Sequence, residues 1–165
     1  MESAVIGKTH GDTFTAYNDL DMLKRQFPDA NLPQVKAIEV YTDGSLCFGY
    51  EFFYVGNVQV GHHIGVMVHP EVRCERFELN QGEYLVRVGG QFGDICDGLS
   101  FVTSQDRTFK VGGSGGSALT CDTKVMDCNG AACEMKAAVK PYILAIGVGM
   151  GGHVHHMKCS FIDLA

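Results

Sequence analysis

From Val35 onward the apolar positions recur at every second residue, the period of a half-buried strand, whereas before Pro33 they fall three and four apart. Residues 35–41 predict a strand, and Thr42-Asp43-Gly44-Ser45 supplies hairpin turn chemistry. The next run sets Leu46, Phe48, Tyr50, Phe52 and Tyr54 on one face against Cys47, Gly49 and Glu51 on the other, which makes a second strand and a hairpin with the first. Alternation returns at 64–69, 76–80, 83–88, 98–103 and 108–111, separated by Gly, Asn, Asp and Pro. Two closing strands, 142–148 and 154–162, are joined by Gly149-Met150-Gly151-Gly152. Strands at this spacing without intervening helices imply an all-β sandwich, barrel or prism of antiparallel sheets. Phe48, Tyr50, Phe52, Tyr84, Val86, Val88, Leu99 and Phe101 are expected to supply much of its core.

Two segments break the pattern. In the N-terminal extension, 1–34, Asn18 or Asp19 caps a short helix carrying Leu20, Leu23 and Phe27, and Pro28 and Pro33 end it. Residues 121–141 read as an inserted loop, bracketed by Asn129-Gly130 and Pro141, whose Ala-rich part, 131–139, fits two turns of helix.

A chain of 165 residues is one domain, 1–165, and buries roughly 70% of its unfolded surface, so it needs neither metal nor disulfide to fold. With 45% hydrophobic and 19% charged residues it reads as soluble and globular, and no apolar run approaches the roughly 18 residues of a membrane span. The net charge of -6 argues against nucleic acid or anionic lipid as a partner. Glycine, at 21 residues, is about twice its usual share of roughly 7%, as suits a β-protein with many tight turns. The first twelve residues carry no secretory signal, so the expected location is cytoplasmic, or secreted in a mature form. Seven cysteines are an odd number and form no Cys-x-x-Cys knuckle; most are read as small apolar core groups, with a local Cys128–Cys133 or Cys121–Cys128 disulfide as the alternative.

Candidate chemistry is sparse. Gly112-Gly113-Ser114-Gly115-Gly116 lacks the Lys-Ser/Thr ending of a phosphate cradle and no helical pattern follows it, so it reads as a hairpin loop. His153, His155 and His156 make the one dense ligand cluster. On a strand His153 and His155 share a face, with imidazoles about 7 Å apart, and His156 takes the other. A third ligand would have to come from His62, His63 or His69, and the cluster is read as surface histidines: no metal and no cofactor are expected. There is no Gly-x-Ser-x-Gly elbow, protease-type cysteine or carboxylate pair, so the chain is not expected to be an enzyme.

Residues 77–119, FELNQGEYLVRVGGQFGDICDGLSFVTSQDRTFKVGGSGGSAL, resemble the centre of a jacalin-related lectin domain: a strand, a Gly-Glu-Tyr turn, a strand ending in Gly, a Leu-x-Phe-x-Thr strand and a Gly-rich hairpin. VKAIEVYTDGSLCFGYEFFY (35–54) is similar to the family's first long hairpin, and ILAIGVGMGGHVHHMKCSFI (143–162) to its closing one. The resemblance implies a β-prism of three antiparallel sheets that binds sugars in loops at one end. There a glycine of an N-terminal loop joins a C-terminal Gly-x-x-x-Asp loop whose N–H groups and carboxylate clasp the sugar hydroxyls. On this chain the second loop falls on Gly152, His153, Val154, His155 and His156, with His156 where the aspartate is expected. The first falls on 7–14 with Gly11, and Gln91 to Asp94 would flank the site. A carboxylate accepts two hydroxyl hydrogen bonds with full charge while neutral imidazole has one acceptor, so losing it weakens monosaccharide binding by on the order of 2 kcal/mol.

Two functions follow. One is a lectin-like module with a departed sugar loop, its partners glycans or glycoproteins. The alternative is a structural or protein-interaction prism without a sugar site, which would assemble as a homo-oligomer or larger complex.

Overall fold

Asp43 makes the first hairpin close. Its Oδ1 accepts from the Ser45 and Leu46 amides at 2.7 and 2.8 Å. Thr42 Oγ1 accepts from the Gly44 amide and donates to the Leu46 carbonyl, both at 2.8 Å. These four bonds all lie within residues 42–46, which is why so short a sequence reads so plainly.

The computed structural model describes residues 6–7, 15–28, 32–63, 70–122, 125–128, 131–134, 141–150 and 154–163. In chain order the elements are β1 (Ile6–Gly7), β2 (Thr15–Asn18), α1 (Asp19–Gln26), β3 (Val35–Thr42), β4 (Cys47–Tyr54), β5 (Val58–His63), β6 (Arg73–Glu78) and β7 (Leu85–Phe92). They continue as β8 (Cys96–Thr103), β9 (Thr108–Gly112), β10 (Ser117–Asp122), β11 (Val125–Cys128), β12 (Ala131–Glu134), β13 (Pro141–Met150) and β14 (Val154–Asp163).

The strands pair into two antiparallel sheets. The smaller runs β5-β4-β3-β6. The larger runs β1-β14-β13-β7-β10-β11-β12, with β8 and β9 added beside β7 and with β2 beside β13. Between β13 and β7 this sheet narrows to one pair, Ile143 opposite Leu85.

The apolar faces of the two sheets meet in one core. Tyr50, Phe52 and Tyr54 of β4 are fully or almost fully buried, as are Leu99 and Phe101 of β8 and Ile143, Val154 and Met157 of β13 and β14. Phe52 and Phe101 meet edge-on across the sheets with centroids 5.9 Å apart. Such edge contacts set the positive ring rim against the negative face and add to area burial. Helix α1 starts at Asn18, whose side chain accepts from the Leu20 amide at 3.1 Å, and it buries Leu23 completely. It packs on β13 and β5.

Four expectations from the sequence need correcting. Leu85, rather than Val86, is fully buried in the core, with Tyr84 half-buried and packed against it, because the β7–β8 register shifts between Leu85 and Arg87 and a bulge there breaks the alternation. Residues 131–134 form a strand, β12, paired with β11, so tertiary pairing overrides the helical propensity of alanine. The glycine run after β9 is not a hairpin loop: β9 pairs with β8 while β10 pairs with β7, so the run crosses between non-neighbouring strands. A further strand, β5, stands just before the predicted run at 64–69, which lies outside the described residues.

Candidate functional site

The closing hairpin joins β13 to β14, and the turn residues between them, including Gly152 and His153, lie outside the described residues. Met150 pairs with Val154 and Gly149 with His156, so His155 is an extra residue with no opposite number on β13. Val154 and Met157, three residues apart, are both fully buried. Strict alternation therefore does not hold between Val154 and Met157, and the expected sharing of one strand face by His153 and His155 falls on a residue, His153, outside the described ones. Val154 commits its side chain to the core, which leaves only its backbone for a ligand.

The N-terminal segment flanks this hairpin on both edges. Gly7 of β1 lies opposite His156 on β14. Thr15 of β2 lies opposite Met150 on β13. The chain thus leaves the sheet beside one strand of the hairpin and rejoins it beside the other, both at the turn end. Gly11 falls between these points and outside the described residues. Of the two loops expected to form a sugar site, the fold brings the borders of one to the borders of the other. Sequence spacing carries no trace of this, because about 140 residues separate them.

Gln91 and Asp94 stand at the far end of β7. Gln91 is half-buried and pairs with Gly98 of β8 and Ala118 of β10; Asp94 is exposed in the turn to β8. The strand partners of Gln91 are on β8 and β10, and β7 pairs with β13 at Leu85. The turn holding Asp94 closes with the Gly93 amide donating to the Ile95 carbonyl at 2.9 Å. Gly116 lies directly against it. With φ at +66°, and with the Phe92 and Gly93 backbone 2.4 to 2.6 Å from where a Cβ would sit, only glycine fits there. The glycine run is thus explained by close backbone passage over the β7–β8 turn, and the Gly113 amide fastens it by donating to the Asp97 carbonyl at 2.7 Å.

On the outer face of β10, β7, β8 and β9 an open groove of about 960 Å³ is lined by Gln91, Ser100, Thr108, Lys110, Ser114 and Thr120. Val88 and Phe101, which alternate with this face, belong to the core. Among the described residues no three His, Cys, Asp or Glu side chains are grouped to hold a metal ion.

The Gly-Glu-Tyr turn has a structural explanation. The Glu83 side chain is fully buried, and its carboxylate accepts from the Asn80 amide at 2.6 Å, from Arg107 at 2.7 Å and from the Thr103 hydroxyl. Burial pushes the Glu83 carboxyl up, but these hydrogen bonds and the Arg107 charge outweigh it and hold the group below its ordinary value. Glu83 ties the turn before β7 to the turn after β8.

The model of one protein family, the jacalin-like lectin domain, matches residues 3–148 of the sequence. The chain belongs to that family. Among solved structures, the jacalin-like lectin fold recurs in frutapin, a lectin from Artocarpus incisa, at 14% identity and a TM-score of 0.69, covering 99% of this chain and 97% of that one. A mannose-specific jacalin-related lectin from Morus nigra, solved in complex with mannose, matches at 16% identity and a TM-score of 0.68 over 99% and 94% of the two chains. Malaysian banana lectin matches at 12% identity and a TM-score of 0.67 over 99% of each. No curated protein sequence matches the chain. Identities this low establish a shared fold; they assign no ligand.

Proposed function

We propose that this chain is a single-domain carbohydrate-binding module, a β-prism of three sheets that takes glycans or glycoproteins at the open end of its closing hairpin. The larger sheet narrows at the Leu85–Ile143 pair, and reading that pair as a corner gives three faces in all. The site comprises Gly11 with Gly152, His153, Val154, His155 and His156; Gln91 and Asp94, at the far end of β7, are left out of it. It works by binding, with no catalytic step and no cofactor. The observation that carries this reading is the register of Gly7 opposite His156 and of Thr15 opposite Met150, which brackets the hairpin end with the N-terminal loop. Amides at such a loop junction donate to hydroxyl oxygens without side-chain entropy loss. Mannosides are the first ligand class to try, because a jacalin-related lectin of the same fold is mannose-specific.

A second reading, an assembly or protein-interaction domain, draws on one observation: His156 stands where the family's charged clasp would be. A glycan array on the purified full chain separates the two. Binding to a coherent set of glycans that competes with free mannoside supports the lectin reading. A blank array, together with a stable oligomer by light scattering, supports assembly.

A further inference from the structure

Cys47 and Cys96 occupy equivalent places in two different sheets. Cys47 is the first residue of β4, immediately after the turn at 43–46, and Cys96 is the first residue of β8, immediately after the turn at 93–95. Each lies at a register shift of its own hairpin, opposite Thr42 and Phe92 respectively. Both side chains are wholly buried and both thiols are free. Their hydrogen bonds converge on one short stretch of backbone: the Cys47 thiol donates to the Asp97 carbonyl at 3.9 Å, and the Cys96 thiol to the Gly98 carbonyl at 3.3 Å. Asp97, whose carbonyl accepts from the Cys47 thiol, is the next residue after Cys96 in the chain. The remaining cysteine with a described side chain, Cys74, is exposed on β6.

We propose that Cys47 and Cys96 form a disulfide that joins the two sheets at their hairpin ends when the chain folds in the presence of a small-molecule disulfide oxidant. One cysteine thiolate attacks the oxidant's S–S bond, giving a mixed disulfide and releasing one small thiolate. The second cysteine thiolate attacks the protein sulfur of that mixed disulfide, forming the Sγ–Sγ bond and releasing the other. The two protons lost by the cysteines pass to the two released thiolates, and the two electrons leave in the reduced oxidant. Once the fold has closed around reduced thiols the reaction is suppressed, because the Cys47 thiol beside it, and then burial, push the Cys96 thiol far above its ordinary value. The bond therefore belongs to folding in an oxidising medium, and a chain folded reduced keeps two inert thiols in its core.

Trypsin makes the test clean, since Cys47 is the only cysteine of peptide 37–73 and Cys96 the only one of peptide 88–107. The reduced, denatured full chain is folded in oxidised and reduced glutathione, alkylated without further reduction, and digested. The proposal expects peptides 37–73 and 88–107 joined to each other, and released by reductant. The oxidised protein should also melt roughly 5–15 °C above the same protein folded with reductant alone, as closing a loop of this length requires. In Cys47→Ser folded identically, peptide 88–107 should appear alkylated. Both peptides alkylated in the wild-type protein, or either joined to a different cysteine in wild type or variant, overturns it.

Discussion

Asp19 should make this protein lose stability as pH rises toward neutrality, the reverse of the usual carboxylate. It is the first residue of α1, wholly buried, with Oδ2 accepting from the Tyr50 hydroxyl at 2.6 Å and with Oδ1 lacking any partner. Burial pushes its carboxyl from 3.8 up to about 7, and the Tyr50 hydrogen bond only partly offsets this. The helix N-terminus favours the charged form, but by no more than about 2 kcal/mol. Below pH 4 the folded and unfolded chains both hold the proton and nothing is lost. Between pH 4 and 7 the unfolded chain releases it while the folded chain keeps it, so folding is progressively disfavoured; above pH 7 the loss is complete. A rise from 3.8 to about 7, at about 1.36 kcal/mol per unit, makes that loss on the order of 4 kcal/mol. Asp19→Asn keeps an acceptor for Tyr50 and removes the charge. Urea unfolding at pH 5 and pH 8 should find the variant's advantage over wild type larger at pH 8 than at pH 5 by about 2–3 kcal/mol. A variant equally destabilised at both pH values would mean that Asp19 is ionised and serves the helix terminus, and the burial argument would fail.

Phe101→Ala empties a site between Phe52 and Phe109, with centroids at 5.9 and 6.2 Å, and should cost about 3–5 kcal/mol in chemical denaturation. Glu83→Gln leaves Arg107 without its buried counter-charge and should cost about 2–3 kcal/mol at pH 7. Because Glu83 is held below its ordinary value, that difference should shrink as pH falls through the acid range and the wild-type carboxylate takes up its proton; a pH-independent difference would point to packing instead. His156→Asp should raise affinity for simple mannosides about tenfold or more in calorimetry, by supplying a charged two-point acceptor. Chelator should move the melting temperature by less than about 2 °C, and a larger shift with stoichiometric metal in the purified protein would recast the histidines as ligands.

What the sequence makes legible is what local chemistry decides. The β3–β4 hairpin is readable because Asp43 and Thr42 close its turn from within, and because the apolar phase of Phe48, Tyr50, Phe52 and Tyr54 runs unbroken to the core. Helix α1 is readable because Asn18 caps it directly. The phase at Leu85 and Val86 is not readable, since the bulge that breaks it is set by the partner strand β8. Strand β5 is hidden for a similar reason. Gly61 looks like punctuation, yet its missing Cβ is what lets β5 approach β4, where the Tyr50 carbonyl would stand 2.3 Å from that atom. The histidine loop is visible as composition, whereas its neighbour in the fold, Gly7, comes from the opposite end of the chain and only pairing reveals it.

The most direct test of the central claim is amide chemical-shift mapping of the isotope-labelled full chain, titrated with the glycan that an array ranks highest. Saturable shifts are expected at Gly7 to Thr15 and Gly149 to His156, the two segments that pairing brings to one end of the β13–β14 hairpin. Shifts centred instead on Ser100, Lys110 and Thr120 in the groove across β7 to β10, or none at millimolar glycan, would contradict it.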